Sequence, residues 1–519
     1  MEKIRYLYGA SVQGIQSFIF QTNDLKSIVG ASELVEQICT KMFEHFAKEE
    51  ELVVNAAGNI KCIFANKQDC AKAVLEFPKE VQTKAPGITI SQAVVKMKEG
   101  DTFGTSVDKL ERRLRIQRNK PSKSLTIGYM GTRRSRKTGL PAVDVDKEGY
   151  LDESTLSKQK NSRPDKENST LSLSIKNFGI NQLTNSQICY DIDDMTDRNN
   201  WIAVIHADGN GLGQVVRKIG KEEEKYHEFS ANLNKATERA AQKAFISVCE
   251  KHGVDMTKKI PFRPVVLSGD DHTIICRADL ALDYATIYLR EFENQTYQLL
   301  GNLIVGGQVF TKGDMKDRLS ACAGISYIKA SYPFYYGYKL AESLCALAKK
   351  DAKREQDVKE GHKLPKSCLM FYKVQDSFIE DFSKIAEREL TPSQGDSFVA
   401  GPYYLSEDHS STGEEYSSQE GRWTVKKLLD NVCLLDSKDG NAVKSDLRQW
   451  LSLMYVNSGM AQQKKRRMLF LNKKNSRLSE VIEEATKGLD RNDDLKRYPA
   501  YDILALHSIF AVLKKRETR

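Results

Sequence analysis

The sequence lacks a hydrophobic run of the length that a membrane-spanning helix needs. None of its apolar stretches approaches about 20 residues. The opening residues, MEKIRYLYGASVQG, also lack the basic, apolar and small-residue sectors of a secretion signal. We therefore expect a cytoplasmic protein with no membrane partner.

Closely spaced cysteines are missing as well. Ten cysteines are scattered over 519 residues, and no two of them have the spacing of a zinc knuckle. Most stand in apolar runs, where cysteine behaves as a small hydrophobic residue. This pattern excludes a disulfide-stapled module and predicts reduced, buried thiols without a metal role.

The chain has no large excess of charge of one sign. Its 79 basic and 70 acidic residues give a formal charge of +9, which is too small for a protein whose main role is to coat nucleic acid. Basic clusters stand at residues 111–120, 132–137 and 464–467. Such clusters attract phosphate, but the default interpretation is a solvated surface.

What the sequence does contain is one supersecondary pattern, present twice. Residues 5–95 alternate as strand, helix, hairpin, helix and strand, and the same order returns over residues 201–350. A βαββαβ unit of this kind forms an antiparallel sheet with both helices on one face, the ferredoxin-like arrangement. The sequence therefore predicts an α+β fold with two ferredoxin-like domains.

The predicted domains follow from changes in pattern along the chain. The first domain covers residues 1–100, a linker or insert region covers 101–200, the second domain covers 201–375, and a helical carboxy-terminal domain covers 376–519. Residues 146–171 are polar and are expected to form a loop or partly disordered linker, and the Ser- and Glu-rich residues 406–420 to form a surface loop.

Three acids stand where the second pattern brings strand ends together. Asp208 ends the strand WIAVIHA, and Asp270 and Asp271 form the tip of the hairpin VVLSGDDHTIIC. In this topology the first strand lies beside the hairpin, so the three carboxylates are expected to converge. An exposed acidic turn is the simpler interpretation. Convergence favours instead a site for Mg²⁺ or Mn²⁺ that takes its remaining ligands from the phosphates of a nucleotide.

Several neighbours of these acids are candidate nucleotide contacts. Gly209, Asn210 and Gly211 precede a predicted helix, where backbone amides approach phosphate. Lys349 ends a helix, and it either complements the helix terminus or reaches a triphosphate. His206 and His272 flank the acids, but strand alternation is expected to turn them away to pack.

The motifs resemble those of a known family. YGASVQGIQSFIFQTNDLKSIVGASELVEQ is similar to the amino-terminal palm segment of the large subunit of type III CRISPR effector complexes. HADGNGLG and SGDD are similar to the first-aspartate and GGDD motifs of that family's second palm, and GISY, YKLAESLCALAK, GPYYL and YPAYDILAL resemble later segments. The likeness covers most of the chain apart from residues 100–200 and the Ser- and Glu-rich loop.

This resemblance implies two palm domains of the nucleotide-cyclase type that make cyclic oligoadenylates from ATP for antiviral defence. It implies that Asp208, Asp270 and Asp271 are catalytic metal ligands, that Ser268 and Gly269 line the nucleotide, and that Lys349 contacts phosphate. Asn59, in the acid-free hairpin of the first palm, would lie near the acceptor nucleotide.

The chain departs from the family pattern at three places. Ser268 replaces the first Gly of GGDD, no His-Asp dipeptide of an HD nuclease domain is present, and the segment that holds a zinc site in other members contains no cysteine. DNA cleavage and zinc are therefore not expected. Expected partners are ATP or another nucleoside triphosphate, CRISPR effector subunits and guide RNA, while a homo-oligomer is left open.

Two further interpretations stay open at this point. One is a catalytically quiet structural subunit of an RNA-guided CRISPR ribonucleoprotein, which keeps the palm fold for assembly. The other is a cyclase that uses GTP, although such enzymes need two chains to bring two nucleotides together and this chain carries two palms by itself.

Overall fold

The computed structural model describes most of the chain in one continuous fold. The described residues are 4–48, 51–56, 58–120, 131–147, 149–163, 172–181, 183–196, 200–219, 222–306, 318–354, 364–375, 381–405, 421–436, 440–491 and 493–510. The predicted surface loop at residues 406–420 lies outside them. So does residue range 164–171 of the predicted linker.

The first sheet has the predicted ferredoxin-like topology. Its elements in chain order are β1 (Arg5–Gln13), α1 (Ile15–Ile19), α2 (Leu25–Cys39), β2 (Leu52–Ala56), β3 (Asn59–Phe64), α3 (Lys67–Lys84) and β4 (Thr89–Met97). The strands lie in the order β2-β3-β1-β4, and all neighbours are antiparallel. β1 is therefore central, and its end meets the β2–β3 hairpin.

The region between the two repeats is more ordered than its polar composition predicts. It contains α4 (Phe103–Arg118), β5 (Ala142–Asp146), β6 (Gly149–Asp152), α5 (Glu153–Lys160) and α6 (Ser172–Phe178), followed by a short 3₁₀ turn at Ile192–Asp194. The loop expected over residues 146–171 is thus wrong for residues 149–160. Asp152 caps α5 by accepting the backbone N–H of Thr155, and Lys158 is buried against Phe18.

The second sheet repeats the topology of the first. Its elements are β7 (Trp201–Gly209), α7 (Leu212–Ile219), α8 (Glu223–Lys251), β8 (Phe262–Ser268), β9 (Asp271–Arg277), α9 (Ala281–Gly306), β10 (Ala321–Lys329), α10 (Phe334–Ala352) and β11 (Cys368–Lys373). The order β10-β7-β9-β8 matches that of the first sheet, and β11 extends it in parallel to β10. The predicted pair of ferredoxin-like domains is confirmed.

The carboxy-terminal part is mainly helical. It contains α11 (Phe382–Glu389), α12 (Val425–Leu434), α13 (Gly440–Val456), α14 (Ser458–Asn472), α15 (Ser476–Ala485) and α16 (Ala500–Phe510). Short strands β12 (Asp396–Ser397), β14 (Leu489–Asp490) and β15 (Lys496–Arg497) form a small sheet, and β13 (Tyr403–Tyr404) pairs with β11 at the edge of the second sheet.

The larger of two clusters of buried apolar side chains joins the first sheet, the second sheet and the carboxy-terminal part. It runs from the first sheet through α2, whose buried residues pack against β8 and α6, to the helices of the carboxy-terminal part. Nine of the ten cysteines are buried and all ten are free thiols, with Cys433 exposed, so the prediction of reduced, buried thiols is confirmed. No helix among the described residues combines the length and apolarity that crossing a bilayer requires.

Helix α10 lies unusually close to the second sheet. A Cβ added at Gly324 of β10 would stand 2.0 Å from the carbonyl oxygen of Ala341 and 2.5 Å from the backbone nitrogen of Cys345. Both atoms belong to the helix backbone, which cannot move aside without shifting the whole of α10. Gly324 thus fixes the distance between the helix and the strand.

We expect Gly324→Ala to destabilise the protein by about 3 kcal/mol, because overpacking against backbone is at the upper end of such costs. Chemical denaturation monitored by circular dichroism measures the change. Gly131→Ala is the control, since nothing lies within 4 Å of its added Cβ. Equal midpoints for the two variants would contradict the close packing.

Candidate metal and nucleotide site

The three predicted acids meet at one edge of the second sheet. Asp208 stands at the end of β7 and pairs with Cys322 of β10. On the other side of β7, the register of Ala207 opposite His272 places Asp208 beside Asp271, the first residue of β9. The topology therefore brings the strand end and the hairpin tip together as predicted.

Asp270 lies directly over the backbone of Gly209. A Cβ added to Gly209 would stand 2.9 Å from the Cβ of Asp270 and 3.1 Å from its carboxylate oxygen Oδ2. The absence of a side chain at Gly209 is thus what allows the hairpin tip to approach the end of β7. This is the physical reason for a glycine directly after Asp208.

The hairpin tip itself depends on a left-handed residue. Ser268 pairs with Asp271, which leaves Gly269 and Asp270 as the two residues of the turn. Gly269 has φ of 65°, a conformation that glycine adopts without the cost a side chain imposes. Ser268 and Gly269 lie at the half-buried rim of the acid cluster.

Lys349 is the cation closest to the acids among the described contacts. Its ammonium group forms an ion pair with the carboxylate of Asp208 and donates a hydrogen bond of 2.8 Å to the carbonyl oxygen of Gly209. The lysine belongs to the last turn of α10. The helix terminus therefore delivers a positive charge to the site, and contact with phosphate stays a prediction.

The carboxylates are crowded, and their pKa values reflect it. Burial, followed by the charges of Asp271 and Asp208, raises the pKa of Asp270 to about 7. Burial and Asp208 also raise the pKa of Asp271 to about 6, although Lys349 acts in the opposite direction. One lysine thus leaves the cluster short of positive charge, which is the condition that a divalent cation relieves.

His206 belongs to the cluster, which the sequence interpretation missed. Ligand atoms of His206, Asp208 and Asp271 all lie within 4.8 Å of one another. His206 and Asp208 are two residues apart on β7, so alternation places them on the same face and not on opposite faces. Burial lowers the pKa of His206 to about 4, and its Nδ1 atom lies 2.9 Å from the hydroxyl of Thr273.

His272 packs in the core, as predicted. It is fully buried, and its Nε2 atom lies 2.9 Å from the hydroxyl oxygen of Tyr284. The prediction that strand alternation turns a flanking histidine away from the acids is therefore right for His272, one residue from Asp271, and wrong for His206.

Two residues of the loop after Asp208 face different surroundings, since Asn210 points inward and Gly211 faces open space. Asn210 is buried, and its side-chain amide donates to the hydroxyl of Ser320 at 3.1 Å while its backbone N–H donates to the carbonyl of Ser320 at 2.8 Å. These hydrogen bonds indicate that Asn210 holds the loop against β10, and its contact with a nucleotide stays a prediction. Gly211 has φ of 74° and open space around it, so close approach of a ligand is sterically free there.

Asn59 belongs to the other sheet. It is exposed at the start of β3, opposite Ser11 of β1, at the hairpin tip that corresponds to the acid-bearing tip of the second domain. The structure therefore places it at the equivalent position and not in the acid cluster. A role near an acceptor nucleotide stays a prediction.

The first domain nevertheless reaches the neighbourhood of the acids. Gln16 of α1 donates to the hydroxyl of Tyr338 at 2.8 Å and to the carboxylate of Glu342 at 3.2 Å, both on α10. Tyr338 stands edge-on to His206, and Glu342 contributes to the raised pKa of Asp271. Only the folded structure reveals this link, since the three residues share no sequence pattern with the acids.

Comparison with protein families identifies this part of the chain. Residues 201–357 match the family model described as Cas10/Cmr2, second palm domain. The chain carries a Cas10-like second palm domain. The predicted resemblance to the palm subunit of type III CRISPR effector complexes is thereby confirmed, and the acid cluster lies within this second palm.

Solved structures show the same fold over nearly the whole chain. A Csm1-Csm4 cassette in complex with pppApApA is 14% identical, covers 98% of this chain and 70% of its own, and has a TM-score of 0.52. The Csm1-Csm4 subcomplex of the type III-A CRISPR-Csm interference complex has a TM-score of 0.51 with 14% identity and the same coverage. At this identity the likeness shows the fold alone. No curated protein matches the chain.

The raised pKa values predict a pH dependence of stability in the absence of metal. The ordinary carboxyl pKa is 3.8, and in the folded chain it is about 7 for Asp270 and about 6 for Asp271. Between pH 4 and 7 the folded state therefore binds more protons than the unfolded state, and the free energy of unfolding falls as pH rises through this window. Denaturation in EDTA at pH 5, 6, 7 and 8 measures the slope.

Asp270→Asn is the matched variant for this experiment. Because its amide does not ionise, the decline in stability from pH 5 to 8 should be shallower than in the wild type. Added Mg²⁺ should raise the wild-type midpoint at pH 8 and have less effect on the variant. Parallel pH curves for the two proteins would show that Asp270 is not crowded in the folded state.

Proposed function

We propose that this protein is a Mg²⁺- or Mn²⁺-dependent nucleotidyltransferase. It joins molecules of ATP or another nucleoside triphosphate into a cyclic oligonucleotide, releases pyrophosphate, and serves antiviral defence through the product as a second messenger. The observation that carries the proposal is the convergence of Asp208, Asp271 and His206 within 4.8 Å, with Asp270 beside them, in a cluster whose negative charge Lys349 alone does not neutralise.

The donor set suits a divalent cation that works on phosphate. Carboxylate oxygens are the ligands that Mg²⁺ and Mn²⁺ prefer, and Mn²⁺ also accepts imidazole. Asp208, Asp271 and Asp270 would hold the metal, with neutral His206 at the side. When bound, such ions polarise phosphate oxygens and lower the pKa of an attacking hydroxyl.

The chain's own residues have separate parts in this scheme. Lys349 offsets negative charge beside Asp208, where a triphosphate would add more. Gly211 leaves room for a phosphate oxygen close to the backbone, whereas the space over Gly209 is taken by Asp270. His206, whose burial keeps it neutral at pH 7, supplies a nitrogen lone pair and not a further positive charge.

Two kinds of comparison support the substrate class. The acids lie in the segment that matches the Cas10/Cmr2 second palm. Similar folds have been solved as Csm1-Csm4 cassettes in complex with AMPPNP, at a TM-score of 0.50, and with pppApApA. We propose ATP as the substrate on this basis, with residues of both palms facing the nucleotides.

A second candidate function is a catalytically quiet structural subunit of an RNA-guided CRISPR ribonucleoprotein. The similar fold in the Csm1-Csm4 subcomplex of the type III-A CRISPR-Csm interference complex favours assembly with other effector subunits. This function needs no carboxylate cluster. The retained acids therefore favour the enzyme, which can also assemble with such partners.

The substrate test uses the purified full chain with Mn²⁺ or Mg²⁺ and a mixture of the four nucleoside triphosphates, alone and with candidate effector subunits and guide RNA. Mass spectrometry of the product gives base and ring size together. A cyclic adenylate and pyrophosphate are expected. A chain that binds guide RNA and makes no product under any of these conditions is a structural subunit.

Replacing both Asp270 and Asp271 by Ala should lower turnover by at least about 100-fold, because the lost ligands stabilise charge that develops in the transition state. The fold should persist, since removing crowded carboxylates relieves repulsion. Pyrophosphate release and circular dichroism measure the two effects. Glu228→Ala, which removes an exposed acid of α8, is the control and should retain wild-type turnover.

A further inference from the structure

The acid-bearing turn is held from outside its own hairpin. The side-chain oxygen of Asn234 accepts the backbone N–H of Gly269 at 2.7 Å, and the hydroxyl of Thr237 donates to the carbonyl oxygen of Gly269 at 2.6 Å. Both polar groups of the residue that precedes Asp270 are thus bound by side chains of α8. We call Asn234 and Thr237 the turn clamp.

The clamp belongs to a rigid part of the fold. Asn234 and Thr237 are three residues apart and therefore share one face of α8. The helix runs for 29 residues, and Thr237 is 1% exposed between the buried residues Leu233 and Ala240. The position of the turn is consequently fixed by α8 as well as by β8 and β9.

We propose that Asn234 and Thr237 are positioning residues that hold the turn so that Asp270 and Asp271 stay in register with Asp208. The residues of the clamp touch neither the acids nor the space between them in any described contact. They act through the backbone of Gly269. The kinetic part of this proposal rests on the proposed function, whereas the structural part does not.

The need for a clamp follows from the geometry of the acids. The Cβ of Asp270 lies 2.9 Å from where a Cβ of Gly209 would stand, so the turn is pressed against the end of β7. Like charges in this arrangement push the turn outward until a cation binds. A two-residue turn with left-handed backbone has only its flanking strand bonds to resist this push, and the clamp adds two more hydrogen bonds.

The clamp also lies at the boundary with the first domain. Asn234 lines a cavity of about 410 Å³ together with Val53 and Asn55 of β2 and His227 and Ser230 of α8. Strand β2 belongs to the acid-free palm, so one wall of this cavity comes from each domain. Asn234 therefore lines the cavity shared with the first palm and also binds the turn of the second palm.

An isosteric pair of variants tests the hydroxyl of Thr237. Thr237→Val keeps the shape of the side chain but removes the donor, and Thr237→Ser keeps the donor. We expect Thr237→Val to lower kcat about tenfold with KM for the nucleotide within about twofold, because a slight misplacement of reacting groups affects the transition state most. Thr237→Ser should retain at least about half of the wild-type kcat.

A second pair tests the acceptor of Asn234. Asn234→Asp retains an oxygen for the N–H of Gly269, and Asn234→Leu does not. Amide hydrogen exchange over residues 262–275 should be faster in Asn234→Leu and Thr237→Val than in the wild type, and close to wild type in Asn234→Asp and Thr237→Ser. Ser230→Asp controls for the added charge, since it places a carboxylate in the same cavity without touching the turn.

The outcomes separate the clamp from the proposed activity. If the wild type makes no product, the proposed function fails, and hydrogen exchange still decides the clamp. Unchanged exchange in Thr237→Val and Asn234→Leu overturns it. If Thr237→Ser is as impaired as Thr237→Val, or if KM rises while kcat is unchanged, the hydroxyl does not position the acids and the proposal is likewise overturned.

Discussion

The site depends on one electrostatic constraint: three carboxylates are pressed together at the end of β7. The backbone enforces this, because β7 is the central strand between the hairpin and β10 and because Gly209 leaves room for Asp270 to lie against it. Three features offset the repulsion: the ammonium group of Lys349, the protons that Asp270 and Asp271 retain to higher pH than ordinary carboxyl groups, and the hydrogen bonds that hold the turn. A divalent cation would replace the protons, which links metal binding to local stability.

How much of the fold and of the site the sequence reveals depends on how far apart in the chain the interacting residues lie. Strand and helix periodicity identified both βαββαβ units, and the topology then implied that Asp208 meets Asp270 and Asp271. The face of His206 was also within reach of the sequence, because a residue two positions before Asp208 on the same strand shares its face. Asn234 could not have been found, since a hydrogen bond across 35 positions leaves no periodic signal. The order in residues 149–160 was hidden by their polar composition, which tertiary contacts such as that of Lys158 with Phe18 override.

The two palms are alike in topology but unlike in chemistry. The hairpin tip of the first palm carries Asn59 where the second carries acids, so only the second can hold a cation by carboxylates. The first palm contributes in other ways. Gln16 contacts Tyr338 and Glu342 beside the acid cluster, and strand β2 forms one wall of the cavity at Asn234. The first palm thus reaches the neighbourhood of the acid cluster through the neutral side chain of Gln16.

The carboxy-terminal part is attached at the same helix end that serves the acids. Two residues after Lys349, Asp351 accepts hydrogen bonds of 2.9 and 2.8 Å from the guanidinium of Arg422 and one of 2.6 Å from the hydroxyl of Tyr404. Burial alone would raise the pKa of Asp351, but these donors lower it to about 2, so the carboxylate is charged at neutral pH. Gly324 fixes the middle of α10 against the sheet, and the contacts of Arg422 and Tyr404 with Asp351 hold the last turn of the helix. That turn contains Lys349, and its ammonium group is what neutralises Asp208.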